Sequence, residues 1–232
     1  AKIKHSSIIV NTDVIEMLGL YLRDDHIYLS FLPYAHIMET LIMAVLVSRG
    51  IRIGIYNGNA GKLIEDAQIL HPTCMCSVPR IFQRVYDSIN IKLEKKPKRI
   101  QKLFNKAMET KIKDYEETGI LNNFIWDNLI FKEIRNVLGG RMRFMLVGGA
   151  PIDQYLLKFL KCGLSCEIVE GYGQTEDCAG ILLTRTYDRV GGHLGGPGYS
   201  TELKLIDVPD LNYYSTDVDP TTGNLRPRGE LC

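Results

Sequence analysis

The run Glu170-Gly171-Tyr172-Gly173-Gln174-Thr175-Glu176 gathers residue types that suit a phosphate-bearing ligand. Gly171 and Gly173 let backbone approach a ligand closely, and Tyr172 offers a flat face for a base. The Thr175 hydroxyl can donate to a phosphate oxygen, and the Glu176 carboxylate can hold a hard cation such as magnesium. The same run also reads as a plain strand-to-helix turn with Thr175 as N-cap, and spacing alone leaves both readings open. Val147-Gly148-Gly149-Ala150-Pro151 closes a second apolar run. Its two glycines and alanine make either a surface thin enough for a planar base or an ordinary turn. Phe31-Leu32-Pro33-Tyr34-Ala35-His36 places an imidazole just past a third apolar run, where histidine serves structure as readily as chemistry. All three follow strand-like segments, and the ends of parallel strands share the sheet edge at which open α/β folds bind ligands.

The elements that must position these residues follow from periodicity. Ile27–Leu32 reads as a strand stopped by Pro33, Met38–Ser48 as a helix stopped by Gly50, and Ile51–Tyr56 as a strand closed by Asn57-Gly58. Leu63, Ala67 and Leu70 share one face of a helix over Lys62–Leu70, which His71-Pro72 ends. Thr73–Val78, Met142–Val147, Cys166–Val169 and Glu202–Ile206 read as further strands, with a helix at Gln154–Lys161. Strand, helix, strand in this order predicts an α/β fold whose mostly parallel sheet is layered with helices. A segment at about 80–138 shows helical pattern and no strand. Within it Ile100, Leu103, Phe104, Ala107 and Met108 form an amphipathic stripe expected to pack onto the domain. Around the stripe stand Lys92, Lys95, Lys96, Lys98, Arg99, Lys102, Lys106, Lys111 and Lys113, with Glu94 and Glu109 as the opposing charges. They form either a solvated outer face or a basic surface for anionic headgroups or coenzyme A phosphates.

Composition narrows the class. A net charge of +1 argues against a nucleic-acid binder that works by bulk electrostatics. The 6 cysteines form no Cys-x-x-Cys pair and histidines do not cluster near them at zinc spacing, so neither a structural metal nor a disulfide framework is expected. Several sit inside apolar runs such as Thr73–Val78, which fits a reduced, cytosol-facing chain. The most apolar stretch, Tyr28–Val47, holds Pro33, His36 and Glu39 in its middle and does not read as a membrane span.

Gly171-Tyr172-Gly173-Gln174-Thr175-Glu176 resembles the hallmark of the adenylate-forming superfamily, which includes acyl-CoA synthetases, luciferases and peptide-synthetase adenylation domains. Leu32-Pro33-Tyr34-Ala35-His36-Ile37-Met38-Glu39 and Gly148-Gly149-Ala150-Pro151 resemble two further motifs in the expected order. Gly192–Pro197, Glu202–Asp207 and Arg228-Gly229-Glu230-Leu231-Cys232 resemble the segments that follow the hallmark. The long helical segment, together with Phe131–Arg135, Leu138–Arg141 and Val208–Tyr213, is similar to eukaryotic long-chain fatty acyl-CoA synthetases.

This resemblance implies that residues 1–232 form part of the large N-terminal adenylation (AMP-binding) domain. The phosphate-binding loop would end just before Ala1. A ribose-binding Asp and a C-terminal domain with a catalytic Lys would follow Cys232, so the chain alone would be inactive. It also implies ATP-dependent activation of a long-chain fatty acid to an acyl-adenylate, then transfer to coenzyme A with release of AMP. A ligase for another carboxylic acid, or a non-catalytic domain that kept the fold, are the alternatives. Carried over by motif, Gly149, Ala150, Pro151, Gly171, Tyr172, Gly173, Gln174 and Thr175 would bind ATP or AMP, and Glu176 would ligate Mg2+. Thr175, Glu176 and His36 would serve catalysis, with His36, Gly148 and Gly149 lining the fatty-acid and coenzyme A channel. Cys74 and Cys178 would have no covalent role. Peripheral contact with a cytosolic membrane face through Lys92–Lys113 is a further expectation.

Overall fold

The computed structural model describes residues 1–12, 22 and 24–232, which fall into two compact units, Ala1–Gly198 and Tyr199–Cys232. In the first, strands β1 (Ile27–Ser30), β2 (Arg52–Ile55), β3 (Cys74–Ser77), β4 (Phe144–Gly148) and β5 (Glu167–Tyr172) run parallel in the order β2-β1-β3-β4-β5. Two short strands, β6 (Leu182–Leu183) and β7 (Gly196–Pro197), extend the β5 edge antiparallel. The mostly parallel α/β sheet expected from the sequence is therefore present, with an antiparallel edge that periodicity did not show. Two-residue strands carry too little pattern to be read.

The central strands are apolar on both faces, as parallel strands covered by helices must be. Leu29, Met75, Met145, Val147 and Ile168 join one core cluster, whereas Tyr28, Cys74 and Cys76 join another on the opposite face. The larger cluster takes in helices α3 (Leu63–Leu70), α4 (Pro79–Glu94), α5 (Lys98–Thr118), α7 (Phe131–Arg135) and α8 (Gln154–Leu164). The smaller lies under α2 (Ile37–Ser48), against which α1 (His5–Thr12) packs. Between α5 and α7 lies α6 (Phe124–Leu129), so the segment at 80–138 is helical throughout its ordered elements. Proline at the first position of α4 needs no N–H partner, and Gly119, at φ +78°, ends α5 in the left-handed conformation that glycine takes without strain.

The stripe on α5 differs from expectation. Phe104, Ala107 and Met108 are buried, but Leu103 is 38% exposed, and the inward face continues through Lys111 and Tyr115. Lys111, expected on the basic surface, is only 2% exposed. Its ammonium donates to Asp127 Oδ1 at 2.6 Å and to Ser165 Oγ at 2.9 Å, and it lies over the Phe131 ring. A buried cation needs such a set of partners, and no periodicity rule shows that they will be there. Burial pushes the Lys111 pKa down, and Asp127 pulls it back up.

The strand expected over Glu202–Ile206 is also corrected. Only β8 (Leu205–Ile206) forms, and it pairs antiparallel with β9 (Glu230–Leu231) inside the second unit rather than joining the main sheet. That unit is tied by carboxylates that cap turns. Asp219 accepts from the Thr221 and Thr222 N–H groups, and Asp217 accepts from Tyr214 N–H and Arg228 Nε.

Candidate active site

The strand order reverses between β1 and β3, the place where an open parallel sheet leaves a crevice beyond its C-terminal strand ends. A cavity of about 310 Å³ lies there. Its wall takes His36 from beyond β1, Val78 from beyond β3, Gly148 and Gly149 from the end of β4, and Gly171–Thr175 from the end of β5. The β4–β5 register sets Gly148 beside Gly171, so two of the three strand-end motifs meet directly. The apolar part of the wall comes from Met38, Leu41 and Ile42 of α2, Leu146 of β4 and Leu183 of β6.

Each motif is held by local chemistry. The Met38 N–H donates to His36 Nδ1 at 3.2 Å, so His36 caps α2 and the neutral ring carries its proton on Nε2. Two residues into α2, Glu39 is fully buried and accepts from Tyr28 Oη at 2.7 Å and Ser30 Oγ at 2.6 Å. That clamp fastens the first turn of α2, and with it His36, to β1. Burial, reinforced by Cys76 and Glu39, pushes the Tyr28 phenol well above its usual range, which keeps its proton available for the bond.

The hallmark segment does not open a helix as expected. Glu170, Gly171 and Tyr172 belong to β5 itself, and the chain then turns. Ala179 N–H donates to Gln174 O and Cys178 N–H to Thr175 O, with Cys178 and Ala179 at φ +59° and +78°. This turn returns the chain to β6 alongside β5, where a helix would have carried it away. The closure explains Gly173: a Cβ there would lie 1.6 Å from the Ala179 carbonyl oxygen. On the strand, Glu170 N–H donates to Thr184 Oγ1 at 2.8 Å, which ties β5 to the segment after β6.

Of the residues singled out from the sequence, His36, Gly148, Gly149, Gly171, Tyr172, Gly173, Gln174 and Thr175 line one cavity. Ala150 and Pro151 are exposed and lie outside its wall, and Glu176 is exposed in the turn beside it. Among the described residues no three His, Cys, Asp or Glu side chains form a metal cluster. Sequence reading passed over Asn11, Val78 and Leu183. The apolar i, i+3, i+4 spacing of Met38, Leu41 and Ile42 marks a helix face but does not say that a ligand would meet it. Cys74 and Cys162 are buried, which pushes both thiols up to about 12, so neither is a thiolate nucleophile. No helix among the described residues is long and apolar enough to cross a membrane.

A parallel α/β sheet with a glycine-walled crevice at its switch point, bordered by a hydroxyl and a carboxylate, is the build of a nucleotide-using enzyme domain. The family model described as "AMP-binding enzyme" matches residues 1–232, and the chain belongs to that family. It is 36% identical over 228 residues to the peroxisomal long chain acyl-CoA synthetase 7 of Arabidopsis thaliana, covering 98% of this chain and 31% of that protein. To human long-chain-fatty-acid–CoA ligase 1 it is 38% identical over 208 residues, covering 90% of this chain and 28% of that one. The chain thus spans about a third of the length of these relatives. The N-terminal domain of FACL13 from Mycobacterium tuberculosis shares the fold at a TM-score of 0.59 and 18% identity, over 98% of this chain and 44% of that one. So does o-succinylbenzoate coenzyme A synthetase from Bacillus subtilis, solved with ATP and magnesium, at a TM-score of 0.59 and 15% identity over 98% and 36%.

Proposed function

We propose that the whole protein activates a long-chain fatty acid with ATP and passes the acyl group to coenzyme A, releasing pyrophosphate and AMP. The observation that carries this reading is the single cavity wall on which His36, Gly148, Gly149 and the Gly171–Thr175 segment converge. In the first half-reaction a carboxylate oxygen attacks the α-phosphorus of ATP and pyrophosphate leaves. In the second the thiol of coenzyme A attacks the acyl carbon and AMP leaves. The protein forms no covalent bond in this scheme, so alignment and charge stabilisation are its contribution. Tyr172 and the Gly149 backbone present flat, thin surfaces to the adenine, and the Thr175 hydroxyl donates to the α-phosphate. The apolar side chains of Met38, Leu41, Ile42 and Leu146 suit an acyl chain. Glu176, exposed and without a hydrogen bond or ion pair among the described residues, is free to hold a magnesium ion and would supply its protein carboxylate. Bound there, the ion would neutralise phosphate charge. ATP–pyrophosphate exchange by the full-length protein, run across acids of different length, tests the reading. Exchange that peaks with long chains supports it, and exchange with short or aromatic acids alone replaces it with a ligase for another acid.

The same reading places the protein on the cytosolic face of a membrane, where its substrate partitions. At the tip formed by the end of α4 and the start of α5, Lys92, Lys95, Lys98, Arg99, Lys102 and Lys106 are exposed, with Ile91 and Leu103 exposed among them. Anionic headgroups attract such cations at about 1 kcal/mol each near the surface. Lys96 is already paired with Glu133 at 2.9 Å and is best left in place. Charge reversal of Lys95, Lys98 and Lys102 is expected to reduce sedimentation with anionic liposomes several-fold and to leave adenylation of a soluble short acid unchanged. Liposome binding that survives the reversal would make the tip a solvated face and nothing more.

A further inference from the structure

Three hydrogen bonds tie His36 to α2 and to the turn before it. Its N–H donates to the Pro33 carbonyl at 2.9 Å, its carbonyl accepts from Thr40 N–H at 3.1 Å, and its Nδ1 accepts from Met38 N–H at 3.2 Å. The ring therefore goes where the first turn of α2 goes. Glu39 sets that turn against the sheet: each of its carboxylate oxygens takes one hydroxyl, from Tyr28 at 2.7 Å and from Ser30 at 2.6 Å. Tyr28 and Ser30 are two apart on β1, so both face α2. Farther along the helix Ile42 and Leu46 hold it by apolar contact, which does not fix a position along the strand as two directed bonds do. Glu39 is fully buried and is no part of the cavity wall. A carboxylate in such a place has lost its hydration, and an apolar side chain of similar size would hold the helix without that loss.

The state of the ring indicates what such a directed clamp serves. With Nδ1 turned onto the helix, the neutral imidazole carries its proton on Nε2, at the far side of a ring that is exposed and borders the cavity. In this state it is a hydrogen-bond donor and not a base. The second half-reaction of the proposed function has use for a donor. The coenzyme A sulfur, its proton released to solvent, bonds the acyl carbon, and the carbonyl π pair moves onto the acyl oxygen. When that pair returns, the bond between the acyl carbon and the AMP oxygen breaks and its electrons stay on AMP. A donor aimed at the oxygen while it is negative stabilises the intermediate, and a small displacement of the donor forfeits much of the effect. We infer that Glu39 is a positioning residue: through its bonds to Tyr28 and Ser30 it holds the His36 Nε2–H toward the acyl oxygen during transfer to coenzyme A. The inference rests on the function proposed above and adds to it a residue that touches neither the acid nor the nucleotide.

The experiment measures, in the full-length protein, single-turnover transfer of the acyl group from the bound adenylate to coenzyme A, with ATP–pyrophosphate exchange in parallel. Wild type, Glu39→Gln, His36→Asn and the double variant form a cycle. Asn keeps an oxygen to cap α2 but lacks the far nitrogen, so the helix start is retained and the donor is lost. Glu39→Gln puts an NH2 where one hydroxyl had its acceptor, so one of the two bonds to β1 has to be remade. It is expected to slow transfer on the order of tenfold, with exchange close to wild type. His36→Asn should slow transfer at least as much, and the double variant should be no slower than His36→Asn alone. Losses that multiply in the double variant overturn the inference, because Glu39 then acts by a route other than His36, general loosening of the fold included. A Glu39→Gln transfer rate equal to wild type overturns it too, as does a loss of equal size in exchange. If Glu39→Gln melts below the assay temperature, Tyr28→Phe takes its place in the cycle with the same outcomes, since it removes one bond and leaves Ser30 on the carboxylate. A wild-type protein that exchanges with no fatty acid removes the proposed function itself, whereas multiplying losses in a protein that does exchange remove only this inference.

Discussion

Glu176→Gln in the full-length protein is expected to slow adenylate formation on the order of a hundredfold while leaving the fold intact. The carboxylate follows Thr175 in the turn after β5, is exposed, and makes no hydrogen bond or ion pair among the described residues, so its charge supports no packing. Gln is close in shape and keeps an amide oxygen, so the change removes charge and little else. In the proposed reaction charge builds on the phosphate oxygens as pyrophosphate departs, and losing one contact that stabilises such charge typically costs about 3 kcal/mol. The measurement is ATP–pyrophosphate exchange at limiting magnesium, with the thermal melt as control. A wild-type exchange rate under those conditions would remove Glu176 from the metal-binding role. A shifted melt would instead give the residue a structural one.

The second large effect concerns stability. Asp127→Ala should cost about 3–5 kcal/mol of unfolding free energy, because it strips the counter-ion from a buried ammonium. Lys111 Nζ would keep only Ser165 Oγ and the Phe131 ring. Arg135, 3.5 Å from the same carboxylate, would lose that ion pair and keep only its bond to the carbonyl of residue 127. Asp127 also accepts from Asn123 N–H at 2.8 Å, so the substitution frees the start of α6. The double variant Lys111→Met/Asp127→Leu should recover much of the loss, since a buried pair replaced by apolar side chains of similar volume is often neutral. Urea titration of the single and double variants gives both numbers. A single variant within about 0.5 kcal/mol of wild type, the range of ordinary surface changes, would show that the pair does not hold α5, α6 and α8 together.

Lys111 also shows where reading along the chain stops. It stands in a run of lysines, and charge runs are usually solvated, so its charge assigned it to the outside even though its position continues the Phe104, Ala107 and Met108 face. What buries it is Asp127, 16 residues away, and Ser165, 54 residues away. The C-terminus of α8 supplies that serine in the left-handed conformation, a place where glycine would be the ordinary choice. Similarly, one of the two readings of the Thr175 run made that residue the N-cap of a helix. A turn formed instead, because the carbonyls of Gln174 and Thr175 found partners in Ala179 and Cys178, and the strand that follows had to pair with β5.

By itself the sequence determined the class of fold and the identity of the crevice. Alternation of apolar strands with helical segments forces parallel pairing, and parallel strands bring their C-terminal ends to one edge. Motifs placed at those ends, Gly148-Gly149 and Gly171–Thr175 among them, were therefore bound to meet. Their chemistry is also local: a glycine admits close backbone, a hydroxyl donates, a carboxylate holds a cation. The tertiary structure alone decided which distant side chains complete the wall and which charges are buried. Asn11 and Leu183 join the cavity only through helix packing and an antiparallel edge two residues long. Glu39 is hidden because Tyr28 and Ser30 reach it from the neighbouring strand. Burial is a property of everything packed around a group, and a linear pattern records only the neighbours along the chain.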